Sequence, residues 1–245
     1  MRLVSGLREL GNRVYDRAFP IYVLCYRAFK AYADRAERKL LRKILSPGDV
    51  AVDAGANIGI YTRFLSLCVG PTGCVHSFEP SPENFRRLQA ATRKLPNVRL
   101  SQAAVGESSR RSRLYISDKL NVDHRAYVPE GESRHTVPIE MIALDDYFKP
   151  AERVDLIKMD IQGYELHALR GANRVLADNP GIKLLFEFWP YGLKQAGASW
   201  VELIEALKQK RKLIQQVSGK GLTAFDFESI NESEAWYVNL FASPE

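Results

Sequence analysis

From residue 46 almost to its end, the chain alternates between short apolar runs and longer stretches whose apolar residues recur at helical spacing. The short runs are bounded by turn residues and predict strands. These strands cover residues 49–54, 73–79, 98–104, 153–160, 182–188, 212–218 and 235–242. The predicted helices cover residues 58–69, 82–95, 164–178 and 199–211. Strands that alternate with helices are typical of an α/β chain with a doubly wound parallel sheet.

Two segments stand outside this alternation. Residues 1–45 precede the turn signal Pro47-Gly48-Asp49 and are predicted to form a basic helical segment that covers the site. Residues 106–152 are too long for a plain connection and include the alternating run 137–142, so they predict an insertion of extra strands and a loop. The expected organisation is one domain, residues 46–245, behind a helical extension.

The composition is that of an ordinary globular protein, since 46% of the residues are hydrophobic and 26% are charged. It excludes disordered, fibrous and collagen-like chains. The net charge of +6 is concentrated at one end, because residues 1–47 hold 11 Lys and Arg against 4 Asp and Glu. Such a segment can attract anionic lipid, an acidic partner or nucleic acid, or it can be the solvated face of a helix.

Neither a transmembrane helix nor a signal peptide is expected. The longest apolar run near the start, Ala18 to Tyr26, has nine residues, against the roughly 20 that span a bilayer. Its aromatic residues beside Arg and Lys could still form an interfacial helix in peripheral contact with a membrane, or that helix could pack onto the domain. The three cysteines, Cys25, Cys68 and Cys74, lack disulfide and zinc patterns, which favours a cytoplasmic, reducing location.

A turn of small residues follows the first predicted strand, in segment 53–59 (Asp-Ala-Gly-Ala-Asn-Ile-Gly), and leads directly into a helix. Such a turn lets a ligand approach the backbone and the free N–H groups of the helix. Dinucleotide sites read G-x-G-x-x-G, whereas this chain reads G-x-N-x-G two residues after Asp53. A carboxylate there is a poor neighbour for a pyrophosphate but attracts an ammonium, which favours S-adenosylmethionine as the cofactor.

Two further positions fit a nucleoside. Glu79 ends the second predicted strand, 24 residues after Gly55, where its carboxylate can accept both ribose hydroxyls. Because NAD enzymes also use an acid there, Glu79 alone does not separate the two cofactors. The small residues 102–106 (Gln-Ala-Ala-Val-Gly) would let an adenine ring lie against the sheet edge beside Ala104.

Four motifs occur in order: residues 53–59, 78–80 (Phe-Glu-Pro), 104–106 (Ala-Val-Gly) and 157–165 (Ile-Lys-Met-Asp-Ile-Gln-Gly-Tyr-Glu). Together they resemble the FkbM family of S-adenosylmethionine-dependent methyltransferases over about residues 46–190. The resemblance implies a class I methyltransferase (Rossmann-like) fold, with a seven-stranded sheet whose last strand is antiparallel. It also implies O-methylation of a hydroxyl on a small molecule, polyketide or sugar. The cofactor-binding residues that it implies are Asp53, Gly55, Asn57, Gly59 and Glu79, and Pro80 and Ala104 are further candidates beside them.

One position departs from the family pattern. Where the family commonly reads Asp-x-Glu-Gly-x-Glu, residues 160–165 have Gln162 in place of the middle acid. If that position held the base or a metal ligand, the charge it needs is absent.

Acids at the strand ends are the candidate catalytic groups, because ligands of open α/β sheets bind there and an alcohol must lose its proton. Asp160 closes the fourth strand and is the first choice as base or orienter, with helix capping as the alternative. Glu165 fits capping better than catalysis. Glu187 ends the fifth strand among aromatics, where a raised pKa is expected, although pairing with a buried Lys or Arg is equally consistent.

The remaining candidates lie in loops. His124, in the polar segment 121–125 of the insertion, can exchange a proton near neutral pH or simply be exposed. No metal is expected, because the acid that would accompany Asp160 as a ligand is replaced by Ile161. Four aromatics after the fifth strand could line an acceptor pocket or pack in the core: Phe188, Trp189, Tyr191 and Trp200.

These patterns predict a methyltransferase acting on a small-molecule alcohol, such as a sugar or a natural product. Nucleic acid is not an expected substrate, because no Asn-Pro-Pro-Tyr-like motif follows the fourth strand. One alternative is a nicotinamide-dependent oxidoreductase, disfavoured by the G-x-N-x-G turn and the lack of a Tyr-x-x-x-Lys pair. The other is a non-enzymatic module that binds a membrane or partner through its basic N-terminus, for which Gln162 is the one hint.

Overall fold

The computed structural model describes residue 15 and residues 18–117, 123–128, 134–232 and 236–245. The predicted N-terminal segment, the polar segment 121–125 and the predicted strand 235–242 therefore lie partly outside the described residues. The helices are α1 (Phe19–Ala33), α2 (Arg35–Ile44), α3 (Ile60–Val69), α4 (Pro82–Thr92), α5 (Leu144–Tyr147), α6 (Glu165–Arg170), α7 (Asn173–Asp178), α8 (Pro190–Gln195) and α9 (Trp200–Gln209).

The strands are β1 (Val50–Ala54), β2 (Cys74–Phe78), β3 (Val98–Ser101), β4 (Ala103–Val105), β5 (Arg110–Tyr115), β6 (Thr136–Ile142), β7 (Leu156–Met159), β8 (Lys183–Phe188), β9 (Lys212–Ser218), β10 (Gly221–Thr223) and β11 (Val238–Pro244). Within the described residues, eight of them form the main sheet in the order β10-β9-β11-β8-β7-β1-β2-β3. The pairs from β8 to β3 are parallel, and β11 is antiparallel to both β8 and β9.

This topology confirms the doubly wound α/β class and the antiparallel last strand. The strand count differs, because β10 pairs with β9 as an eighth strand at the sheet edge. The predicted strand 98–104 is also divided at Gln102. Before that residue β3 pairs with β2, and after it β4 pairs with β6 in a second sheet.

The insertion forms the extra strands that its pattern predicts. Its two strands, β5 and β6, are antiparallel, and with β4 they make a three-stranded sheet of order β4-β6-β5. This small sheet packs through Leu114, Ile139 and Met141 against Tyr127 and Tyr164. Since Tyr164 precedes α6, the insertion is anchored to the turn that follows β7.

The main sheet is covered on both faces, which explains the apolar runs in its strands. Successive residues of a strand point to opposite faces, so Leu156 belongs to the core under α2 and α3 while Ile157 belongs to the core under α6, α7 and α9. The first core is centred on Leu41, Phe64 and Leu65. The carboxyl ends of the parallel strands are thereby held rigidly side by side.

The N-terminal helices are attached to different degrees. Helix α2 buries Leu41 and Glu37, whereas no residue of α1 is fully buried. Helix α1 makes partial contacts, mainly through Phe19 and Tyr22 to a cluster around Tyr15. In the described part of the chain, no helix has the length and apolar character needed to cross a membrane.

The predicted helix 164–178 is interrupted at Gly171, giving α6 and α7. The Asp145 carboxylate enters the break and accepts hydrogen bonds from the backbone N–H groups of Arg174 and Val175, at 2.9 Å each. The carbonyl of Gly171 accepts from the Asp145 N–H at 2.8 Å. A residue far away in sequence therefore caps α7, which the local pattern does not reveal.

Gly171→Ala is expected to lower the free energy of unfolding by about 2 kcal/mol or more, because overpacking strains a close contact. A Cβ at this position would lie 2.0 Å from the backbone oxygen of Gly106. Urea denaturation measures the effect, with Gly181→Ala as the matched control because nothing lies within 4 Å of its added Cβ. Equal stabilities for the two variants would contradict the close contact between Gly171 and Gly106.

Candidate active site

A cavity of about 540 Å³ opens where β1, β2, β7 and β8 end. Its walls come from the turn after β1, the end of β2, strand β4, the segment after β7 and helix α1. The charged and amide side chains that line it are Lys30, Asn57, Glu79, Asn84, Asp123, His124, Arg125, Lys158, Asp160, Gln162 and Glu187. Their convergence at the carboxyl edge of a parallel sheet is the usual arrangement of a ligand site in this kind of fold.

The turn after β1 presents backbone to the cavity through Gly55, Ala56 and Asn57. Gly55 has a φ of +77°, and a Cβ there would lie 2.0 Å from the backbone oxygen of Asp160. Glycine is therefore required by the close approach of the chain after β7. The N–H groups of Gly55 and Ala56 both donate to the Phe78 carbonyl, which fixes the turn against the end of β2.

Glu79 is buried at the cavity wall, 5% exposed, and its two oxygens each accept a backbone hydrogen bond. The donors are the N–H of Asn57 at 2.8 Å and the N–H of Ser81 at 2.9 Å. Burial raises the pKa of Glu79 to about 7, although these two donors oppose the shift. The result is a rigidly held carboxyl group that a ligand with hydroxyl donors would favour in its ionised form.

Asp53 does not line the cavity. It is fully buried, accepts a 2.7 Å hydrogen bond from the Thr62 hydroxyl, and lies 3.4 Å from the Lys158 ammonium. The sequence suggested a direct contact with a ligand ammonium, which would need an exposed carboxylate. In the structure the negative charge of Asp53 is instead paired within the protein, with Lys158, which lines the cavity.

Of the other predicted cofactor residues, one lies behind the cavity and the rest line it. Gly59 lies behind the cavity as the N-cap of α3, and a Cβ there would lie 2.9 Å from Leu88. The predicted residues that do line the cavity are Gly55, Asn57, Glu79, Pro80 and Ala104.

Asp160, Gln162 and Glu187 form one hydrogen-bonded group in the cavity. The amide Nε2 of Gln162 donates to Oδ1 of Asp160 at 3.1 Å and to Oε2 of Glu187 at 3.4 Å. Gln162 has a φ of +57°, and its backbone carbonyl accepts a hydrogen bond from the Tyr127 hydroxyl at 2.8 Å. Left-handed backbone is unusual for a non-glycine residue and is typical of functional sites. The residue that departs from the family pattern thus connects the two candidate acids.

Burial is the main cause of a strongly raised pKa for Glu187, followed by the charges of Asp160 and Glu165. The charges of Lys158 and Lys30 oppose the shift. Two carboxyl groups that share one amide donor repel each other when both are ionised, so protonation of one is favoured. The raised pKa that the sequence predicts for Glu187 is confirmed in direction.

Two lysines balance these acids. The Lys158 ammonium lies 3.8 Å from Asp160 as well as 3.4 Å from Asp53. Lys30 of α1 forms a 2.7 Å ion pair with Asp34. Burial disfavours the Lys30 ammonium, but the charges of Asp160 and Asp34 outweigh it, and the pKa of Lys30 is raised.

Glu165 does not reach the cavity. It is fully buried, and its Oε1 accepts from the N–H of Ile161 at 3.1 Å. Burial raises the pKa of Glu165 to about 7. Glu165 is the first residue of α6 and ties the preceding turn to the helix, which is a structural and not a catalytic role, although its side chain does not cap the helix.

His124 lines the cavity, but its geometry suits a donor better than a base. Its Nδ1 accepts a 3.2 Å hydrogen bond from the N–H of Ser117, so the proton of the neutral ring is on Nε2. Burial lowers the pKa of His124 to about 4. At neutral pH the ring is therefore uncharged and presents an N–H group.

Of the four candidate aromatic residues, Trp189 alone lines the cavity. Trp189 lines the cavity and stacks with the Arg125 guanidinium, whose carbon lies 5.1 Å from the ring centre. Phe188 is fully buried in the core, where it packs against Trp200. Tyr191 contacts Trp189 but does not line the cavity. Core packing thus accounts for two of the four.

Sequence reasoning predicted that the N-terminal segment covers the site but did not identify Tyr26, Phe29 and Lys30, the residues that α1 brings to the cavity. It also missed Lys158, although a lysine inside the apolar run of β7 is a detectable signal of a buried charge. Across the described residues, no group of three or more His, Cys, Asp or Glu side chains is arranged to hold a metal ion.

Glu79→Gln is expected to flatten the pH dependence of stability in the ligand-free protein. The pKa of Glu79 is about 7 in the folded chain against 4.5 ordinarily, so the folded state keeps a proton that the unfolded chain releases. The free energy of unfolding should therefore fall as pH rises from about 4.5 to 7, by about 3 kcal/mol for this group. Denaturant titrations across that range measure the difference between wild type and variant.

The control is Glu83→Gln, since Glu83 is an exposed acid in the first turn of the neighbouring helix α4. This variant should follow the wild-type curve. Parallel curves for wild type and Glu79→Gln would contradict the raised pKa.

Comparison with known proteins identifies the family. Residues 53–214, well over half of the chain, match the model of the methyltransferase FkbM domain. The 2-O-methyltransferase NoeI of Sinorhizobium fredii is 26% identical over 160 residues, 58% of this chain and 65% of the relative. The 31-O-demethyl-FK506 methyltransferase FkbM of Streptomyces tacrolimicus is 44% identical over 66 residues, 26% of this chain and 25% of the relative. The chain spans less than two thirds of the length of the curated relatives it matches.

A solved structure supports the fold. A Streptococcus mutans protein, described as a methyltransferase and solved in complex with S-adenosylhomocysteine, is 13% identical with a TM-score of 0.51. The alignment covers 84% of this chain and 94% of that one. This likeness agrees with the observed strand order, and the family model gives the assignment: the chain belongs to the FkbM family of S-adenosylmethionine-dependent methyltransferases.

Proposed function

We propose that this protein transfers the methyl group of S-adenosylmethionine to a hydroxyl oxygen of a small molecule, a sugar or a natural-product alcohol. The observation that carries the proposal is the placement of Asp160, Gln162 and Glu187 in the same cavity as Glu79 and the glycine turn. The part of the cavity beside Glu79 and the glycine turn suits a nucleoside, and the part beside Asp160 offers a proton acceptor.

The residues of the cavity fit the cofactor. Gly55 to Asn57 offer backbone instead of long side chains, and the fixed Glu79 carboxylate can accept hydrogen bonds from ribose hydroxyls. Pro80 and Ala104 add small apolar surface for an adenine ring. When bound, S-adenosylmethionine supplies an electrophilic methyl group.

Asp160 is the proposed acceptor of the substrate proton. Its side chain is 35% exposed, so it can reach a bound hydroxyl, and Lys158 at 3.8 Å stabilises its negative charge. A positioned base of this kind typically contributes about 10² to 10⁴ in rate. Holding the hydroxyl oxygen in line with the methyl group accounts for much of the remaining acceleration.

Gln162 and Glu187 position Asp160. The Gln162 amide offers one hydrogen to each acid, which keeps the two carboxyl groups apart and fixes the orientation of Asp160. A glutamate at position 162 would instead add a third acid to the group. The missing charge at this position is therefore compatible with activity and does not argue for a non-enzymatic protein.

The site and the relatives both support this acceptor class. His124 presents its Nε2–H group and Trp189 provides an aromatic surface in the cavity, and together they suit a polyhydroxylated molecule. The names of both relatives specify methylation on oxygen. No feature of the cavity favours the nicotinamide alternative over this reading.

The first test of the function uses no acceptor. Isothermal titration should give micromolar binding of S-adenosylhomocysteine and no heat with NAD in a parallel cell. Incubation with labelled S-adenosylmethionine and a panel of sugars and alcohols, matched with amines of similar shape, should then label only the hydroxyl compounds. Binding of NAD alone, or label on amines alone, would overturn the proposal.

Asp160→Asn is expected to keep the affinity for S-adenosylhomocysteine within about threefold and to lose turnover by about 10² to 10⁴, because it removes the proton acceptor without changing the shape of the site. The matched control is Asp226→Asn, an exposed acid outside the cavity. Turnover in Asp160→Asn at the wild-type rate would exclude Asp160 as the base.

The same substitution should lower the pKa of Glu187, because the Asp160 charge is the largest cause of its raised value after burial. Carbon-13 NMR of labelled glutamate carboxyl groups measures the midpoint, with Glu187→Gln to assign the signal. The Asp226→Asn protein should titrate like wild type. A midpoint that does not move in Asp160→Asn would mean that the two acids are not coupled.

A further inference from the structure

We propose that the outer faces of α1 and α2 dock on an anionic membrane surface. Helix α1 carries an apolar stripe that no part of the described chain covers. Its large members are highly exposed, with Ile21 at 60%, Leu24 at 69%, Phe29 at 62% and Tyr32 at 72%. Residues three and four apart share a helix face, so the stripe consists of Ile21, Leu24, Cys25, Ala28, Phe29 and Tyr32.

The adjoining face of α2 is basic. The exposed cations on these two helices are Arg27, Arg35, Lys39, Arg42 and Lys43. Both acids of residues 18–45, Asp34 and Glu37, are buried at 8% exposure, so they do not offset this charge at the surface. The Arg35 guanidinium lies over the Tyr32 ring at 4.8 Å and joins the basic face to the apolar stripe.

This combination fits a lipid surface better than other partners. Interfacial helices insert large apolar side chains at the level of the headgroups while flanking Lys and Arg meet anionic lipids. A nucleic acid would match the cations but leave the apolar stripe in water. A second copy of this chain would cover the stripe but would bring two basic faces together.

The docking surface is continuous with the mouth of the cavity. Phe29 belongs to the stripe and also lines the cavity, and Tyr26 and Lys30 line the cavity from the same helix. Docking would therefore bring the cavity to the lipid headgroups. This step rests on the proposed function, and it specifies the acceptor further as the hydroxyl-bearing headgroup of an amphiphile.

Co-sedimentation of the full chain with vesicles tests the docking without any turnover. Vesicles of phosphatidylcholine with phosphatidylglycerol should bind the protein, high salt should weaken the binding, and pure phosphatidylcholine should bind poorly. Ile21→Ser with Leu24→Ser should reduce the partition by about tenfold or more, because both side chains would lose their burial in lipid. Lys39→Glu with Lys43→Glu should reduce it by a similar factor through charge reversal.

The matched controls are Leu67→Ser on α3, where Leu67 is 78% exposed, and Lys94→Glu with Lys208→Glu. Both should bind vesicles like wild type, and every variant should keep its affinity for S-adenosylhomocysteine, which reports an intact fold. Absence of vesicle binding, or binding that the stripe variants do not weaken, would overturn the proposal. A dimer that the stripe variants dissociate would also overturn the proposal, since the stripe would then be the interface with a second copy of the chain.

Discussion

Lys158 is a charged side chain in a strand whose two faces are both covered, and its ammonium has to be paired inside the protein. Asp53 at 3.4 Å and Asp160 at 3.8 Å provide the opposite charges, and the Tyr61 ring lies 4.7 Å from the ammonium. Removing one partner of a buried pair leaves an uncompensated charge and is strongly destabilising. Asp53 and Lys158 are direct neighbours in the register of β1 and β7. The pairing therefore connects the glycine turn to the candidate base.

The acids near this pair are buried at a cost to the stability of the fold. Burial raises the pKa values of Glu79 and Glu165 to about 7, and burial together with the charges of Asp160 and Glu165 raises the pKa of Glu187. Each costs stability in its ionised form, so a compact core must offset the cost. Buried acids with raised pKa values at the edge of a cavity, such as Glu79 and Glu187, are typical of active sites.

The sequence predicts the features of the site that are determined by residues close together along the chain. The strand ends place Glu79, Asp160 and Glu187 at one edge, and each of them lines the cavity. Features that depend on distant partners are not predictable in this way. The break at Gly171 needs Asp145, the tautomer of His124 is set by Ser117, and Asp53 is paired with Lys158 on another strand. A strand pattern indicates which side chains reach an edge but not which of them remain open to a ligand.

Helix α1 also depends on partners that are distant in sequence, in this case for its stability. It has 15 residues and buries none of them fully, and isolated helices of about this length are marginal in water. Yet Tyr26, Phe29 and Lys30 complete the cavity, so the site depends on an element that the domain holds only partly. Contacts that form on ligand binding or at a lipid surface would add to the few that fix α1 now. Because such contacts stabilise the ordered helix, occupancy of the cavity and docking of the outer face should favour each other.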